Sequence, residues 1–287
     1  RVMFPIIDAT GGGGRVIAFG GRVLEEKRDA EGMIVEPKYV NSPESRLFNK
    51  SAALFGLNFA RQQIVRTRSA VIVEGYMDVI AAHQAGVPNV IATLGTALTP
   101  EHTRTLKNYA QTAVLVFDSD DAGRRAADRA MEVFVHTPID VKITSVPDGK
   151  DPCDFCMKNG GEAFQKLVEQ APDALTFKWK RLAADVHATD SVTARQDAIT
   201  EFLRFAAASL MSPSAESIDP IRRGQLLVKI SNLVGMSVEE VTQTLFRLSR
   251  LRPTTGGGGP GNTDAAAAAA PGAPSRWAPD ALADAEY

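Results

Sequence analysis

The sequence predicts an α/β fold: a mostly parallel sheet with crossover helices, preceded by a mixed α+β lobe rich in basic residues and followed by a helical bundle. Three observations carry that prediction. Between residues 66 and 160, short runs such as Ala70-Val71-Ile72-Val73 and Val114-Leu115-Val116-Phe117 alternate strictly with helical stretches, as strands buried on both faces and joined by crossovers do. Before residue 66, apolar runs are broken by glycine, which reads as hairpins. From 161 to 252, apolar residues recur only at helical spacing.

In chain order, residues 1–65 form the basic α+β subdomain. Met3-Phe4-Pro5-Ile6-Ile7 and Arg15 to Val23 read as a hairpin around Gly11 to Gly14, with a return through Lys38-Tyr39-Val40-Asn41 and a helix from Ser51 to Arg66. A dinucleotide-binding loop is excluded for these glycines, because a strand pattern rather than a helix follows them. Residues 66–160 form the α/β subdomain. Its strands are expected at 70–73, 89–92, 113–117 and 140–146, with helices at 76–85, from Thr99-Pro100 and at 121–135. Residues 161–252 form the helical subdomain, whose last helix opens with the capping box Ser237 to Glu240. Residues 253–287, rich in Pro, Gly and Ala, read as a disordered linker or tail.

The chain has 287 residues, 44% of them hydrophobic and 23% charged, which leaves room for a real core, and no apolar run approaches a membrane span. No secretory signal is visible at Arg1-Val2-Met3-Phe4-Pro5, and the missing initiator methionine suggests a fragment. Two cysteines exclude a disulfide framework and suit a reducing cytoplasm. Cys153 and Cys156 have C-x-x-C spacing but no further ligands nearby, so they read as incidental helix positions.

Chemistry is concentrated where strands end in acids. Glu74 follows one apolar run and Asp118 and Asp120 follow another, so parallel strands would bring all three to one sheet edge. Any one of them could simply cap the next helix. Three acids converging from two strands repel one another unless a divalent cation sits between them, and Mg²⁺ prefers one or two carboxylates with phosphate and water oxygens. Asp78, in the next helical turn, and Asp151 and Asp154, in and after the turn Pro147 to Pro152, are further candidates for such an ion, with plain turn chemistry the alternative for the last two. Charge is split to match. Residues 1–68 hold 11 Lys/Arg against 7 Asp/Glu, and residues 69–158 hold 8 against 12. An acidic wall facing a cationic one suits a metal beside a polyphosphate or nucleic acid.

These segments resemble the RNA polymerase core of bacterial DNA primases, whose carboxylate-bearing domain belongs to the Toprim group. The resemblance rests on Glu74-Gly75-Tyr76-Met77-Asp78, Asp118-Ser119-Asp120-Asp121-Ala122-Gly123, Asp148-Gly149-Lys150-Asp151-Pro152, Phe19-Gly20-Gly21-Arg22 and Lys38-Tyr39-Val40-Asn41-Ser42-Pro43-Glu44. It covers residues 1 to 170 and reaches the helical region only in outline. It implies a Toprim-type sheet with Mg²⁺, or Mn²⁺ in its place, held by Glu74, Asp118 and Asp120, with Asp78 and Asp151 as additional candidates. It implies that Arg22, Lys38, Asn41, Arg46 and Lys50 face the nucleotide or template, and that Lys38 and Lys50 join the acids in catalysis.

The activity implied is template-directed joining of ribonucleoside triphosphates into short RNA primers on single-stranded DNA, in the cytoplasmic replisome of a bacterium. The family's zinc-binding module and the C-terminal domain that binds the replicative helicase are missing here, so zinc is expected only outside this chain. Where the family's acidic turn reads D-P-D, this chain has Cys153 after Pro152, which puts a metal role for Asp154 in doubt. The alternatives are a Toprim nuclease or topoisomerase, the latter needing a nucleophilic tyrosine, and a non-catalytic DNA-binding scaffold.

Overall fold

The computed structural model describes residues 1–9, 14–25, 28–29, 32–33, 35–95, 98–118, 126–127, 129–130, 133, 139–147, 151–187, 191–211 and 219–250. Arg1–Arg250 is one compact unit; Leu251–Tyr287 is a second, outside the described residues, as is the linker expected at 253–287.

Strands β1 (Val2–Ile7), β2 (Val16–Arg22) and β3 (Tyr39–Asn41) form an antiparallel sheet in the order β1-β2-β3. The hairpin and its return are as predicted; Gly11 to Gly13 lie outside the described residues. Alternation turns Phe4, Ile6, Ala18 and Gly20 inward, and Phe4, Ile6 and Ala18 pack with Phe48, Tyr76 and Leu94.

Helix α1 (Leu57–Thr67) begins later than the Ser51 start expected from periodicity. Phe55 pairs with Ala92 through two backbone hydrogen bonds, and Gly56 takes a left-handed φ of 80° before the helix opens. A side chain at Gly56 would be strained by that φ and would meet Val79 Cγ1 at 2.8 Å, so tertiary pairing overrides local helix preference here.

Strands β4 (Ser69–Val73), β5 (Val90–Ala92), β6 (Thr112–Phe117) and β7 (Asp140–Ser145) form a parallel sheet in the order β5-β4-β6-β7. Helices α2 (Tyr76–Gln84), α3 (Pro100–Leu106) and α4 (Pro152–Glu169) belong to the same layer system. Thr99 caps α3, with Pro100 at its first turn, as expected. The described residues of the helix expected at 121–135, namely Ala126, Ala127, Arg129, Ala130 and Val133, are helical.

Period-two alternation divides the strand residues between two cores. Ala70, Ile72, Ala113, Leu115 and Ile143 pack with Leu57, Ala60, Ile64 and Leu106 of α1 and α3. Val71, Val73, Val114 and Val116 pack with Val79 and Ala82 of α2 and with Cys153, Cys156 and Phe164 of α4. Because both faces are buried, these strands read as unbroken apolar runs. Within α4, Gly160 breaks the helical geometry with a φ of 79°, and a Cβ on Gly161 would lie 1.9 Å from Ala85 O, so only glycine lets α4 pass this close to the end of α2.

Helices α5 (Ala174–His187), α6 (Val192–Leu210), α7 (Pro220–Val234) and α8 (Val238–Arg250) surround a fourth core that includes Phe202, Leu203, Ala206, Ile230, Val241 and Leu245. Ser237 and Glu240 form the expected box, with Ser237 N and Oγ donating to Glu240 Oε2 and Glu240 N donating to Ser237 Oγ. Among the described residues no helix is long and apolar enough to cross a membrane.

Candidate nucleotide and metal site

β4 connects to β5 on one side of it, whereas its neighbour on the other side is β6. Strand order therefore reverses between β4 and β6, and the crevice beyond the carboxyl ends of two such strands is where open α/β sheets bind ligands. Glu74 follows β4 and Asp118 follows β6. Ile72 pairs with Leu115, so Glu74 lies two residues and Asp118 three residues beyond that pair, on strands about 4.8 Å apart. Glu74 is exposed and Asp118 half-buried. Glu74 also borders a recess of about 250 Å³ with Thr93, Gly95, Phe117 and Arg129. Asp120, the third expected ligand, lies outside the described residues.

Two further acids at this edge serve the backbone. Asp78 is 8% exposed; its Oδ2 accepts from Gly75 N at 2.9 Å and its Oδ1 from Cys153 N at 3.1 Å. It thus ties the turn that carries Glu74 to the first turn of α4, 75 residues away. Burial, then the Asp151 charge, pushes the Asp78 carboxyl up to about 7 against those two hydrogen bonds, with Asp118 adding to the rise. Asp151 caps α4, its Oδ1 accepting from Asp154 N at 2.7 Å. Among the described residues, no three His, Cys, Asp or Glu side chains are gathered to hold a metal ion. The donor chemistry of the edge is carboxylate oxygen throughout, the hard set that Mg²⁺ takes in ones and twos beside phosphate and water, so Glu74 and Asp118 fit such an ion.

Of the cations in the β1–β3 lobe, Arg22 lies within electrostatic reach of this edge. Arg22 pairs in register with Tyr39, and its guanidinium lies 5.8 Å from the Tyr39 ring centroid. Arg22 Nε is buried with no hydrogen-bond partner. Burial raises the Tyr39 phenol; Arg22 works against the rise, and Asp78, Cys153 and Asp151 add to it, which places the Arg22–Tyr39 pair beside the acids. Lys38 and Arg46 are exposed and Lys50 is half-buried; no ion pair among the described residues engages them. Lys50 is anchored through its backbone, which donates to Glu44 Oε1 at 3.0 Å and lies 3.1 Å from His102 Nε2 through its carbonyl.

Asn41, expected among the nucleotide-facing residues, is engaged within the protein at both ends of its amide. It accepts a short hydrogen bond from Tyr76 Oη and donates from Nδ2 to Leu94 O at 2.9 Å. Tyr76, inside the acidic motif, is the bolt between the two sheets. Its ring stacks on Phe4 at 5.1 Å and meets Phe55 edge-on at 4.7 Å. A Cβ at Gly20 would sit 2.5 Å from Tyr76 Cζ, so glycine there admits the ring. The glycine pair Gly20-Gly21 was the only signal for this contact, and a sequence does not say what fills the space a glycine leaves.

The cysteines are buried on the apolar face of α4, and burial, then Cys153 and Asp78, pushes the Cys156 thiol up to about 11. That is the state of an inert core thiol.

Residues 1–61 match the family described as DNA primase catalytic core, N-terminal domain, and residues 71–156 match the family described as Toprim-like. A DNA primase from Clostridium acetobutylicum is 38% identical over 241 residues, which is 84% of this chain but 37% of that protein, so the chain spans well under half of such relatives. The crystal structure of a DNA primase domain from Pseudomonas aeruginosa aligns with a TM-score of 0.69 at 35% identity, covering 86% of this chain and 72% of that one. A DnaG primase catalytic domain bound to single-stranded DNA aligns with a TM-score of 0.66 at 33% identity, over 84% and 71% of the two chains. With both lobes matched by family and by structure, the chain belongs to the bacterial DNA primase family, in the region of its catalytic core.

Proposed function

We propose that this chain catalyses template-directed joining of ribonucleotides into short RNA primers on single-stranded DNA. The observation that carries the reading is the placement of Glu74 and Asp118 beyond adjacent parallel strands at the point where strand order reverses, with Arg22 of the other sheet within electrostatic reach of Asp78, which holds the Glu74 turn. In this reading Glu74 and Asp118, with Asp120, hold Mg²⁺ or Mn²⁺, which when bound neutralises phosphate charge and eases deprotonation of the attacking hydroxyl. Arg22 adds positive charge on the side of Asp78 and Asp151. Lys38, Arg46 and Lys50 supply positive charge for the triphosphate and the template backbone, where fixed cations stabilise developing phosphoryl charge. Asp78 and the Tyr76–Asn41 pair touch no reacting atom; they position the Glu74 turn and the cationic sheet.

The similarity to a primase domain that binds single-stranded DNA supports the template as partner. Ribonucleoside triphosphates, a replicative helicase engaged by another part of the whole protein, and a cytoplasmic replisome complete the proposal. A topoisomerase would need a tyrosine nucleophile. Tyr76 is 5% exposed, its hydroxyl is given to Asn41, and its phenol is pushed up to about 12 by burial and then by Tyr39. The tyrosine of the acidic motif is thus a poor nucleophile.

A priming assay with labelled ribonucleotides on single-stranded DNA, with and without Mg²⁺, tests the proposal. Products should require Mg²⁺ and be lost in Lys38→Ala with Mg²⁺ affinity unchanged by calorimetry. Unchanged synthesis in that variant would sink the assignment. If Asp118→Ala altered neither Mg²⁺ affinity nor any product, a non-catalytic scaffold would be the better reading.

A further inference from the structure

The opposite end of the parallel sheet carries a second recess. It lies among the start of β7, the start of α5, and helices α6 and α7, and its volume is about 350 Å³. Ile139, Val141, Phe205, Leu210 and Leu226 give it apolar walls. Two ion pairs from α7 bound it. Arg222 Nη2 reaches Asp140 Oδ1 at 3.1 Å and donates to Ile139 O at 3.0 Å. Lys229 Nζ reaches Asp173 Oδ2 at 2.6 Å. Residues 222 and 229 are two helical turns apart and share a face, and Gln225 and Leu226 between them line the recess.

One donor at this recess has no acceptor. Arg222 Nε is buried and lacks a hydrogen-bond partner, although the same guanidinium is well satisfied at Nη2. A buried N–H left unpaired is costly, and such groups are few in folded proteins. The charged lining favours an anion, with Lys142, Arg222 and Lys229 against Asp140 and Asp173. An apolar recess of this size at a boundary between sheet and helices, with a few convergent polar groups, is a common setting for a small ligand.

We infer that this recess binds a small amphipathic acid, whose aromatic or aliphatic body packs against Val141, Phe205 and Leu226 and whose anionic group is held by the cationic excess of Lys142, Arg222 and Lys229. The site is separate from the proposed nucleotide site. Asp140 to Lys142 open β7, whereas Glu74 and Asp118 lie past the carboxyl ends of β4 and β6, and the strands are parallel.

The test uses 8-anilino-1-naphthalenesulfonate and its uncharged parent, N-phenyl-1-naphthylamine, titrated by fluorescence into the whole chain. Wild type should bind one sulfonate saturably and at least tenfold tighter than the naphthylamine. Leu226→Trp, which fills the recess, should weaken the sulfonate at least tenfold; Arg222→Gln should erase the preference between the probes. Amide hydrogen exchange on wild type locates the sulfonate without any variant, with protection expected at 139–143 and 173–175. Protection elsewhere, equal affinity for the two probes, or undiminished binding in a folded Leu226→Trp would each overturn the inference.

Discussion

Glu74 and Asp118 directly follow the last residues of two hydrogen-bonded strands whose central positions are buried, whereas Lys38, Arg46 and Lys50 stand outside strands and helices, exposed or half-buried. The two walls of the proposed site are therefore built to different tolerances. Metal coordination is sensitive to tenths of an ångström, and a buried strand end delivers that. Attraction between a lysine and a phosphate falls off slowly with distance, so irregular segments suffice for the cations. What has to be accurate on the cationic side is the placement of the whole sheet, and that is assigned to apolar and neutral groups: Tyr76, Phe4, Phe55, Asn41 and Gly20.

Glu74→Gln should break the acidic wall most severely. Primer synthesis should fall by roughly 10²–10³-fold, as for loss of a group that stabilises transition-state charge, while the melting temperature stays within a degree or two because Glu74 is exposed. Equal loss of rate and of stability would mean that Glu74 is structural.

Tyr76→Ala attacks the joint between the walls. Removing a buried aromatic ring costs about 3–5 kcal/mol, measurable by urea unfolding, and synthesis should fall even at temperatures where the variant is folded. Tyr76→Phe keeps the ring and deletes only the hydroxyl given to Asn41, so it should cost about 1 kcal/mol. If the two variants were equally unstable, the hydroxyl rather than the stacking would be the bolt.

Asp78→Asn sharpens the comparison through pH. The folded carboxyl is raised to about 7 from an ordinary 3.8, chiefly by burial and the Asp151 charge. A raised carboxyl favours the folded state fully below the ordinary value, and that contribution is lost as pH rises through about 7. Metal-free wild type should therefore lose stability between pH 4 and pH 7.5, and Asp78→Asn should flatten that part of the profile in urea titrations at several pH values. A profile unchanged by the substitution would assign the dependence to other groups.

The strand-and-helix alternation was legible because each element is a local pattern. Ala70 to Val73 and Val114 to Phe117 are continuous apolar runs, and an acid directly after each lands at the sheet edge whatever else the chain does. The N-cap at Thr99 and the capping box at Ser237 were legible for the same reason, since the partners lie within one turn. The start of α1 was not: a bridge from Phe55 to Ala92 moved it, and a pairing across that separation leaves no trace in local periodicity.

By itself, then, the chain's order of residues determined which segments become buried strands and that Glu74 and Asp118 leave them at the same end. Tertiary structure alone decided that Asn41 is given to Tyr76 and Leu94, and that Asp78 binds the amide of Cys153. The reason is physical. Strand and helix periodicity arise from covalent neighbours, whereas a polar side chain takes whichever partner the packed fold brings within hydrogen-bond reach, and that partner is set by contacts far along the chain.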